Sequence, residues 1–164
     1  MKSKIIIVNI KDTIIDHKER GTLNSEDIYR ISALWITNNK GEILLARRSF
    51  RKSHDPGKWG SAVAGTVEDG ENYHTNIIKE AEEELGLKNI KFKKGPKARV
   101  QGRHSFFCQW YVLTLNRVSS KFRIQEDEVE EVKWFSKDFL LKELGDRPDQ
   151  FLPTMKQWIK LFLK

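Results

Sequence analysis

Short runs of hydrophobic residues separated by polar turns make up most of the chain, a pattern typical of strands. The segment 38–41, Asn-Asn-Lys-Gly, joins two such runs and predicts a hairpin turn. Residues 17–27 and the basic stretch 48–58 are polar and predict loops. We predict extended segments at residues 4–10, about 12–15, 29–37, 42–47, 59–65, 89–93, 97–101, 105–115 and 130–135.

Three further segments show the apolar spacing of amphipathic helices. The first of them ends at Gly86, a residue that often terminates helices. One face of this helix carries an apolar stripe, which we expect to face the core. Many strands and few helices predict an α/β protein in which helices cover a mixed sheet. The predicted helices span 72–86, 137–144 and 150–163, and the stripe consists of Ile77, Ala81 and Leu85 with Ile78 beside it.

Length and composition describe a globular chain. The 164 residues are 38% hydrophobic and 32% charged, and no linker or repeat divides them, so we predict a single domain over 1–164. No apolar run approaches the ~20 residues of a membrane span, and the run from Ile5 to Val8 is too short for a secretory signal. Cys108 is the single cysteine, which excludes an intrachain disulfide and favours a reducing, cytoplasmic setting.

The formal charge of +7 is unevenly distributed along the chain. Residues 68–84 contain seven acids and one lysine, a local charge of −6 that leaves +13 on the rest of the chain. An acidic patch in a basic body suggests metal cations held in one place and an anionic ligand attracted by the surroundings. A basic protein with one solvated acidic helix is the alternative.

Three glutamates share one face of the first predicted helix, because Glu80, Glu83 and Glu84 are three and four residues apart. Two like charges at 4 Å repel by about 4 kcal/mol at an effective dielectric of 20, but by only roughly 0.2–0.5 kcal/mol on a solvated helix. The cluster is therefore costly in a cleft unless cations neutralise it, and magnesium takes oxygen ligands of this kind. Taken alone, Glu-x-x-Glu-Glu is more simply explained as a solvated helix face.

The wider spacing changes that interpretation. From Gly65 to Leu87 the chain resembles the Nudix box, Gly-x5-Glu-x7-Arg-Glu-U-x-Glu-Glu-x-Gly-U, where U is a bulky aliphatic residue. Lys79 replaces the arginine, and Ala81 is small for a U position. The resemblance implies the Nudix fold, a mixed β-sheet sandwiched between helices (α/β/α). It also implies a hydrolase that cleaves a diphosphate linkage in a nucleoside di- or triphosphate or a related compound. The matching residues are Gly65, Glu71, Glu80, Glu83, Glu84, Gly86 and Leu87.

The resemblance further implies a divalent metal, Mg²⁺ or Mn²⁺, bound by Glu80, Glu83 and Glu84. Glu71 is expected to assist at a second metal or to orient the helix. A lysine at position 79 keeps the positive charge of the family's arginine but loses its planar fork, so its support of the glutamates is weaker. Metal-activated water then attacks phosphorus while a glutamate takes its proton.

One further carboxylate from a later loop often completes sites of this family. Residues 124–131 precede Trp134 and contain several acids. We predict Glu128 as the extra ligand or base, with Glu126 and Glu131 as alternatives, and a solvated acidic turn remains an equal explanation for each. The predicted catalytic set is therefore Glu83, Glu80 and Glu128.

The basic segment before the box resembles isopentenyl-diphosphate isomerase and the hydrolases related to it. Arg48 and Lys52 stand where that enzyme binds the diphosphate of its substrate, followed by Pro-Gly-x-Trp at 56–59. The catalytic cysteine of the isomerase is replaced by Ala64, and its metal-binding histidine by Thr66. We therefore expect a hydrolase on an isomerase-like scaffold.

Two other functions stay open as alternatives: an isomerase-like enzyme, and a non-catalytic module that binds nucleotides or RNA. The basic body of the chain, with four lysines between 91 and 97, is what such a module would use on phosphate backbones. A nearly complete box does not favour it, because a metal-free binder has no use for those glutamates. The expected partner is a small diphosphate compound and not a membrane, with a nucleic acid as the less favoured alternative, and the sequence does not reveal an oligomeric state.

Overall fold

A computed structural model describes residues 2–164, so residue 1 of the predicted domain lies outside it. Nine strands and three α-helices make up this part of the chain, and short 3-10 turns occupy Ser119–Lys121 and Pro148–Gln150. The strands are β1 (Lys4–Val8), β2 (Ile14–Glu19), β3 (Ile28–Thr37), β4 (Ile43–Arg48), β5 (Trp59–Ser61), β6 (Val63–Thr66), β7 (Lys93–Val100), β8 (Ser105–Thr114) and β9 (Val129–Phe135). The helices are α1 (Tyr73–Leu85), α2 (Lys137–Asp146) and α3 (Met155–Phe162).

The nine strands belong to one mixed sheet with β3 at its centre. β3 pairs in parallel with β8 along its whole length, from Ile28 opposite Ser105 to Thr37 opposite Thr114. It also pairs antiparallel with β1, β4 and β6. β4 continues the sheet to β5 and β9, β2 lies beyond β1, and β7 lies beyond β8.

Successive residues of β3 and β4 point to opposite faces of the sheet, and each face has its own core. Leu34 packs with Ile77 of α1 on one face. Trp35 packs with Leu140 of α2 and Trp158 of α3 on the other. Helices therefore cover both faces, which confirms the predicted α/β/α arrangement. No helix within residues 2–164 has the length and apolar character needed to cross a membrane.

Several predicted elements were wrong at their ends. β2 runs to Glu19, well into the predicted loop 17–27, because its backbone pairs with β1 although its side chains are mostly exposed. The predicted strand 89–93 was wrong except at Lys93, because β7 begins only there and continues to Val100 through most of the predicted strand 97–101. The register of β7 shifts between Lys94 and Lys97, so Pro96 lies at an irregularity within the strand and not at its end.

Three other expectations also need correction. The extended segment 59–65 is divided into β5 and β6, which pair with different strands. The last helix begins only at Met155, because the backbone before it is bonded to the sheet, with the Leu152 amide donating to the Trp59 carbonyl at 2.9 Å. Ile78 is 44% exposed and does not face the core, whereas the rest of the predicted stripe is fully buried.

Candidate active site

Helix α1 is fixed at both ends by local hydrogen bonds. Asn72 accepts from the Thr75 amide at 2.9 Å, and the Thr75 hydroxyl accepts from the Asn72 amide at the same distance, a complete capping box. At the other end Gly86 has φ +66 and satisfies the final carbonyls, as the sequence predicted. These caps define where the acidic residues of the helix lie.

Gly65, on β6, gives the Glu80 side chain the space that it occupies. A Cβ atom at position 65 would lie 2.3 Å from Glu80 Cδ and 2.4 Å from its Oε1, far inside any allowed contact. The Glu80 carboxyl group is therefore packed directly against the backbone of β6. The spacing between the box glycine and this glutamate thus has a steric cause.

Lys79 lies among three carboxylates. Its Nζ is 2.5 Å from Glu71 Oε1, 3.6 Å from Glu80 Oε1 and 3.7 Å from Glu68 Oε2. The lysine thus stands between Glu71 and Glu80, close to one carboxylate and farther from the other. Burial acts to lower the pKa of Lys79, but the hydrogen bond to Glu71 and the charge of Glu80 raise it above its usual range.

Glu71 and Glu80, together the held pair, have several protein donors. Glu71 also accepts from the Glu68 amide at 3.0 Å and from Asn76 Nδ2 at 2.9 Å. Desolvation acts to raise the pKa of Glu71, but the hydrogen bonds from Lys79, Glu68 and Asn76 hold it below its usual range. For Glu80, burial together with the charges of Glu83 and Glu71 raises the pKa to about 7 despite Lys79.

Glu83 and Glu84, together the open pair, have much less support. Within residues 2–164, the Glu83 carboxylate has no hydrogen bond or ion pair, and this residue is exposed. Glu84 accepts one long hydrogen bond, 3.4 Å, from the Ala64 amide. Burial and the charge of Glu80 raise the pKa of Glu84 well above its usual range. The described protein therefore offers the open pair little that would stabilise its charged form.

A cleft of about 1310 Å³ brings the acidic helix face together with the predicted basic residues. Glu80, Glu83 and Glu84 line it, whereas Glu71 lies behind Lys79 and does not. Arg48 and Lys52 line it as well, so the structure places both predicted diphosphate contacts in the same cavity as the box glutamates. Arg48 donates two hydrogen bonds to the His54 carbonyl, at 3.1 and 2.9 Å, which fixes the basic loop.

The late glutamates separate clearly by position. Glu128 lines the cleft and forms an ion pair with Lys52, with Oε2 2.5 Å from Nζ. Glu126 is exposed in the turn before β9 and does not line the cleft. Glu131 also lies outside the lining, with its carboxylate 3.4 Å from Arg47. Glu128 is thus the late acid whose position fits the predicted role.

The chemistry of these donors suits a hard divalent cation, because they are all carboxylate oxygens with excess negative charge. The pKa values of Glu80 and Glu84 are raised first by burial and then by the charges of neighbouring glutamates. In the part of the chain that the structure describes, no three Asp, Glu, His or Cys side chains converge on one preformed metal position. The predicted ligands share a helix face and a cleft, and their side chains are not gathered around a point.

Sequence reasoning missed two parts of the site. Asn76 is fully buried and contacts both glutamates of the held pair. The apolar floor of the cleft was also not predicted, since it combines side chains from strands far apart in sequence with the segment around α3. A polar residue next to the buried Ile77 stripe was the available signal for Asn76. The floor includes Ile31, Ala33, Val100, Phe106, Trp110, Leu152 and Trp158.

The sequence model of the NUDIX domain matches residues 28–155, which is most of the chain and includes the whole site. The chain belongs to the NUDIX domain family. This confirms the predicted Nudix hydrolase and the fold that the box implied. The match begins at β3 and ends where α3 begins.

Individual relatives agree with the Nudix assignment. An uncharacterized Nudix hydrolase of Yersinia pestis is 28% identical over 162 residues, covering 96% of this chain and 84% of that protein. The isopentenyl-diphosphate Delta-isomerase of Citrobacter koseri is 28% identical over 131 residues, covering 74% of this chain and 69% of the isomerase. The crystal structure of DR0079 from Deinococcus radiodurans has the same fold, with TM-score 0.83, 20% identity, and coverage of 97% and 99% of the two chains.

Proposed function

We propose that this Nudix protein is a divalent-metal-dependent pyrophosphohydrolase, with Mg²⁺ or Mn²⁺ bound by Glu80, Glu83 and Glu84 and supported by Glu71. The observation that carries this is the facing arrangement of the cleft. Three carboxylates of α1, two of which have little support from protein donors, lie in one cavity with Arg48 and Lys52. Such a cavity can accept a cation and a diphosphate together, because the cation neutralises the carboxylates and the diphosphate neutralises Arg48 and Lys52.

The residues of the chain divide the work of the reaction. When bound, the metal would polarise the diphosphate oxygens and acidify a water molecule. Glu83 is free of protein partners among the described residues and exposed to the cleft, so it is the carboxylate best placed to take that proton. Glu80 and Glu128 are the alternatives. Arg48 and Lys52 would bind the phosphate oxygens and orient phosphorus for attack.

The substrate we propose first is a nucleoside di- or triphosphate. The cleft, at about 1310 Å³, is larger than a diphosphate needs, and its inner part is apolar and aromatic. A planar base would fit such a floor by stacking and by burying apolar surface. Isoprenoid diphosphates and nucleotide sugars are the other candidates. We also propose a single domain over 1–164 and a cytoplasmic location.

An isomerase reaction is the second candidate, favoured by the similarity to the isomerase of Citrobacter koseri. Ala64 and Thr66 flank Gly65 and line the cleft, so no thiol or imidazole stands at either place. Cys108 also lines the cleft, but it is 1% exposed and burial raises the pKa of its thiol far above its usual range. A group that exchanges protons with substrate needs access and a moderate pKa, so hydrolysis is favoured.

The binding-module alternative depends on the lysines between 91 and 97. Most of them lie on β7, at the edge of the sheet. Lys97 is already paired with Asp12, with its Nζ 2.6 Å from Oδ2. Phosphate backbones would thus meet a basic patch in which one lysine has a protein partner. This patch contributes nothing to the cleft, and we do not favour it as the main function.

The deciding experiment is a hydrolysis screen of the purified protein over nucleoside diphosphates, nucleoside triphosphates, nucleotide sugars and isoprenoid diphosphates, with Mg²⁺, Mn²⁺ or chelator. We expect metal-dependent release of a phosphate product from at least one class and none in chelator. Isopentenyl diphosphate is included, and its conversion to dimethylallyl diphosphate would favour the isomerase instead. Hydrolysis that persists undiminished in chelator would contradict the proposed mechanism.

A further inference from the structure

Asn76 is an unusual residue for its position. It lies in the second turn of α1 beside the apolar stripe and is fully buried, with 0% of its surface exposed. Asparagine is a poorer helix former than alanine, and an uncompensated buried amide is costly. The helix cap does not require it, because Asn72 and Thr75 already complete the capping box. Helix formation alone therefore does not explain a buried amide here.

The Asn76 amide nitrogen faces three oxygen acceptors of the site. It donates to Glu71 Oε2 at 2.9 Å and to the Thr66 carbonyl at 3.1 Å, and it lies 3.4 Å from Glu80 Oε1. An amide nitrogen has two hydrogens, so the two shorter contacts use both and the Glu80 contact shares one of them. One side chain thus connects both carboxylates of the held pair to the backbone beside Gly65.

Ser32 completes the hydrogen bonding of that amide. Its hydroxyl, fully buried at the centre of β3, donates to Asn76 Oδ1. If the amide turned over, its oxygen would face two carboxylates and a carbonyl, and these four oxygens would have no hydrogen between them. The three acceptors therefore select the orientation in which Asn76 donates to the glutamates, and Ser32 supports it by donating to the amide oxygen.

We propose, building on the function above, that Asn76 is a positioning residue for Glu71 and Glu80, supported by the hydrogen bond from Ser32 and required for full affinity of the metal site. It contacts neither the cleft nor the reacting atoms and acts only through the two carboxylates. Carboxylate ligands are commonly held by hydrogen bonds from outer residues, whose removal costs roughly 10–100-fold in metal affinity or activity. Lys79 supplies positive charge to the same pair, and the hydrogen bonds from Asn76 fix the orientation of its carboxylates.

The test measures Mn²⁺ binding without substrate, by the electron paramagnetic resonance signal of free Mn²⁺, at a temperature where circular dichroism shows every variant folded. We expect Asn76→Ala to bind Mn²⁺ roughly 10–100-fold more weakly than wild type. Ser32→Ala, which removes one hydroxyl and leaves Asn76 in place, should produce a smaller loss in the same direction. If Asn76→Ala does not fold, Ser32→Ala decides the question.

The matched control is Asn72→Ala. It removes the hydrogen-bonding asparagine that caps the same helix and lowers stability, but the Asn72 side chain has no hydrogen bond to the carboxylates of Glu71 or Glu80. We expect its Mn²⁺ affinity to stay within about twofold of wild type. In steady-state assays at saturating metal, Asn76→Ala should lower kcat while KM for the substrate stays nearly unchanged, because Asn76 does not contact substrate.

Each outcome has one consequence. Equal Mn²⁺ affinity in wild type, Asn76→Ala and Ser32→Ala overturns the role of Asn76 and leaves the proposed hydrolase intact. Equal losses in Asn76→Ala and Asn72→Ala would also overturn it, since a general weakening of the helix would then explain both. A wild-type protein that binds no Mn²⁺ and hydrolyses none of the screened compounds overturns the proposed function itself.

Discussion

The held pair and the open pair consist of the same residue type, and all four lie between residues 71 and 84, yet their surroundings differ. Glu71 and Glu80 are within 3.7 Å of Lys79 and Asn76, and the pKa of Glu71 is held low. Glu84 has one weak donor, and Glu83 has none among residues 2–164. The two pairs differ because Lys79 and Asn76 are within reach of the held pair, whereas the open pair receives only the long hydrogen bond from the Ala64 amide.

This contrast separates glutamates that the protein holds in place from glutamates that are free to react. Carboxylates that already have protein donors have little reason to move or to exchange partners. Carboxylates without donors are available to cations, water and substrate, and they carry the electrostatic cost of remaining so. We therefore propose that the open pair, above all Glu83, takes part in proton transfer, and that Glu80 of the held pair acts as a metal ligand kept in position by its protein donors. Four experiments can break or sharpen that division.

The largest effect is expected at Glu83. Glu83→Gln keeps the shape of the side chain but removes both its charge and its ability to accept a proton. We expect the turnover number to fall roughly 10²–10⁴-fold while the unfolding temperature changes little, because the side chain is exposed. Steady-state kinetics and thermal unfolding measure the two quantities.

The control for Glu83 is its neighbour Glu82, whose carboxylate is 3.1 Å from Lys88 and does not line the cleft. Glu82→Gln should keep the wild-type rate within about twofold. If Glu83→Gln remained as active as wild type, the open pair would not carry the chemistry.

The second prediction concerns stability without metal. The pKa of Glu80 is about 7 in the folded protein against 4.5 as its ordinary value, so in this window the folded state binds more protons than the unfolded state. The free energy of unfolding therefore falls as pH rises from about 4.5 to about 7, by on the order of 3 kcal/mol for this group. Glu84, with its pKa also raised, contributes in the same direction.

Urea unfolding over a pH series in chelator measures that fall. The slope should weaken in Glu80→Gln, where the titrating group is absent, and added Mg²⁺ should restore stability at pH 8 because it neutralises the carboxylates. A metal-free protein whose stability rose through this window would contradict the excess negative charge that we describe at the site.

A smaller effect is expected at Lys79, the cation of the held pair. Lys79→Ala leaves Glu71 and Glu80 without the charge between them, so we expect kcat/KM to fall roughly 10–100-fold. Lys79→Arg restores the charge and adds a planar fork, and it should stay within a few-fold of wild type. Kinetics at several Mg²⁺ concentrations compare the two, and equal losses in both would mean that charge is not what the lysine supplies.

The smallest effect is expected at Lys52. This lysine forms an ion pair with Glu128, and its charge also acts on Glu84 of the open pair. Lys52→Met should raise KM for a diphosphate substrate about tenfold with kcat less affected, because one charged hydrogen bond to phosphate is lost. Arg51→Met is the control, since Arg51 is exposed and pairs with Asp127 at 3.2 Å outside the cleft. A KM change of the same size in both variants would point to general charge attraction instead.

The sequence predicted the central part of this structure well, for identifiable reasons. The spacing from Gly65 to Leu87 indicated the family, because a steric contact and two helix caps fix it. The many strands and few helices indicated a mixed sheet covered by helices. Element ends were less predictable: the extension of β2 to Glu19 depends on pairing with β1 and leaves no hydrophobic pattern in the strand itself.

The site was predictable only where residues are close in sequence. Glu80, Glu83 and Glu84 follow from helical spacing. The choice of Glu128 over Glu126 and Glu131 depends on where the turn before β9 meets Lys52, a contact between distant segments. Asn76 required knowing that Ser32 lies beneath it, and the sequence does not show which strand residue faces a given helix turn.

The contact between Gly65 and Glu80 makes the effect of one substitution depend on the other residue. At position 65 even a methyl group would meet the glutamate, so Gly65→Ala should be damaging in the natural background. Once Glu80 is shortened to alanine, the obstacle is gone and the same change at 65 should cost little more. The two positions are therefore expected to show strong epistasis, and a library that varies them singly would misjudge which pairs of residues this fold can accept.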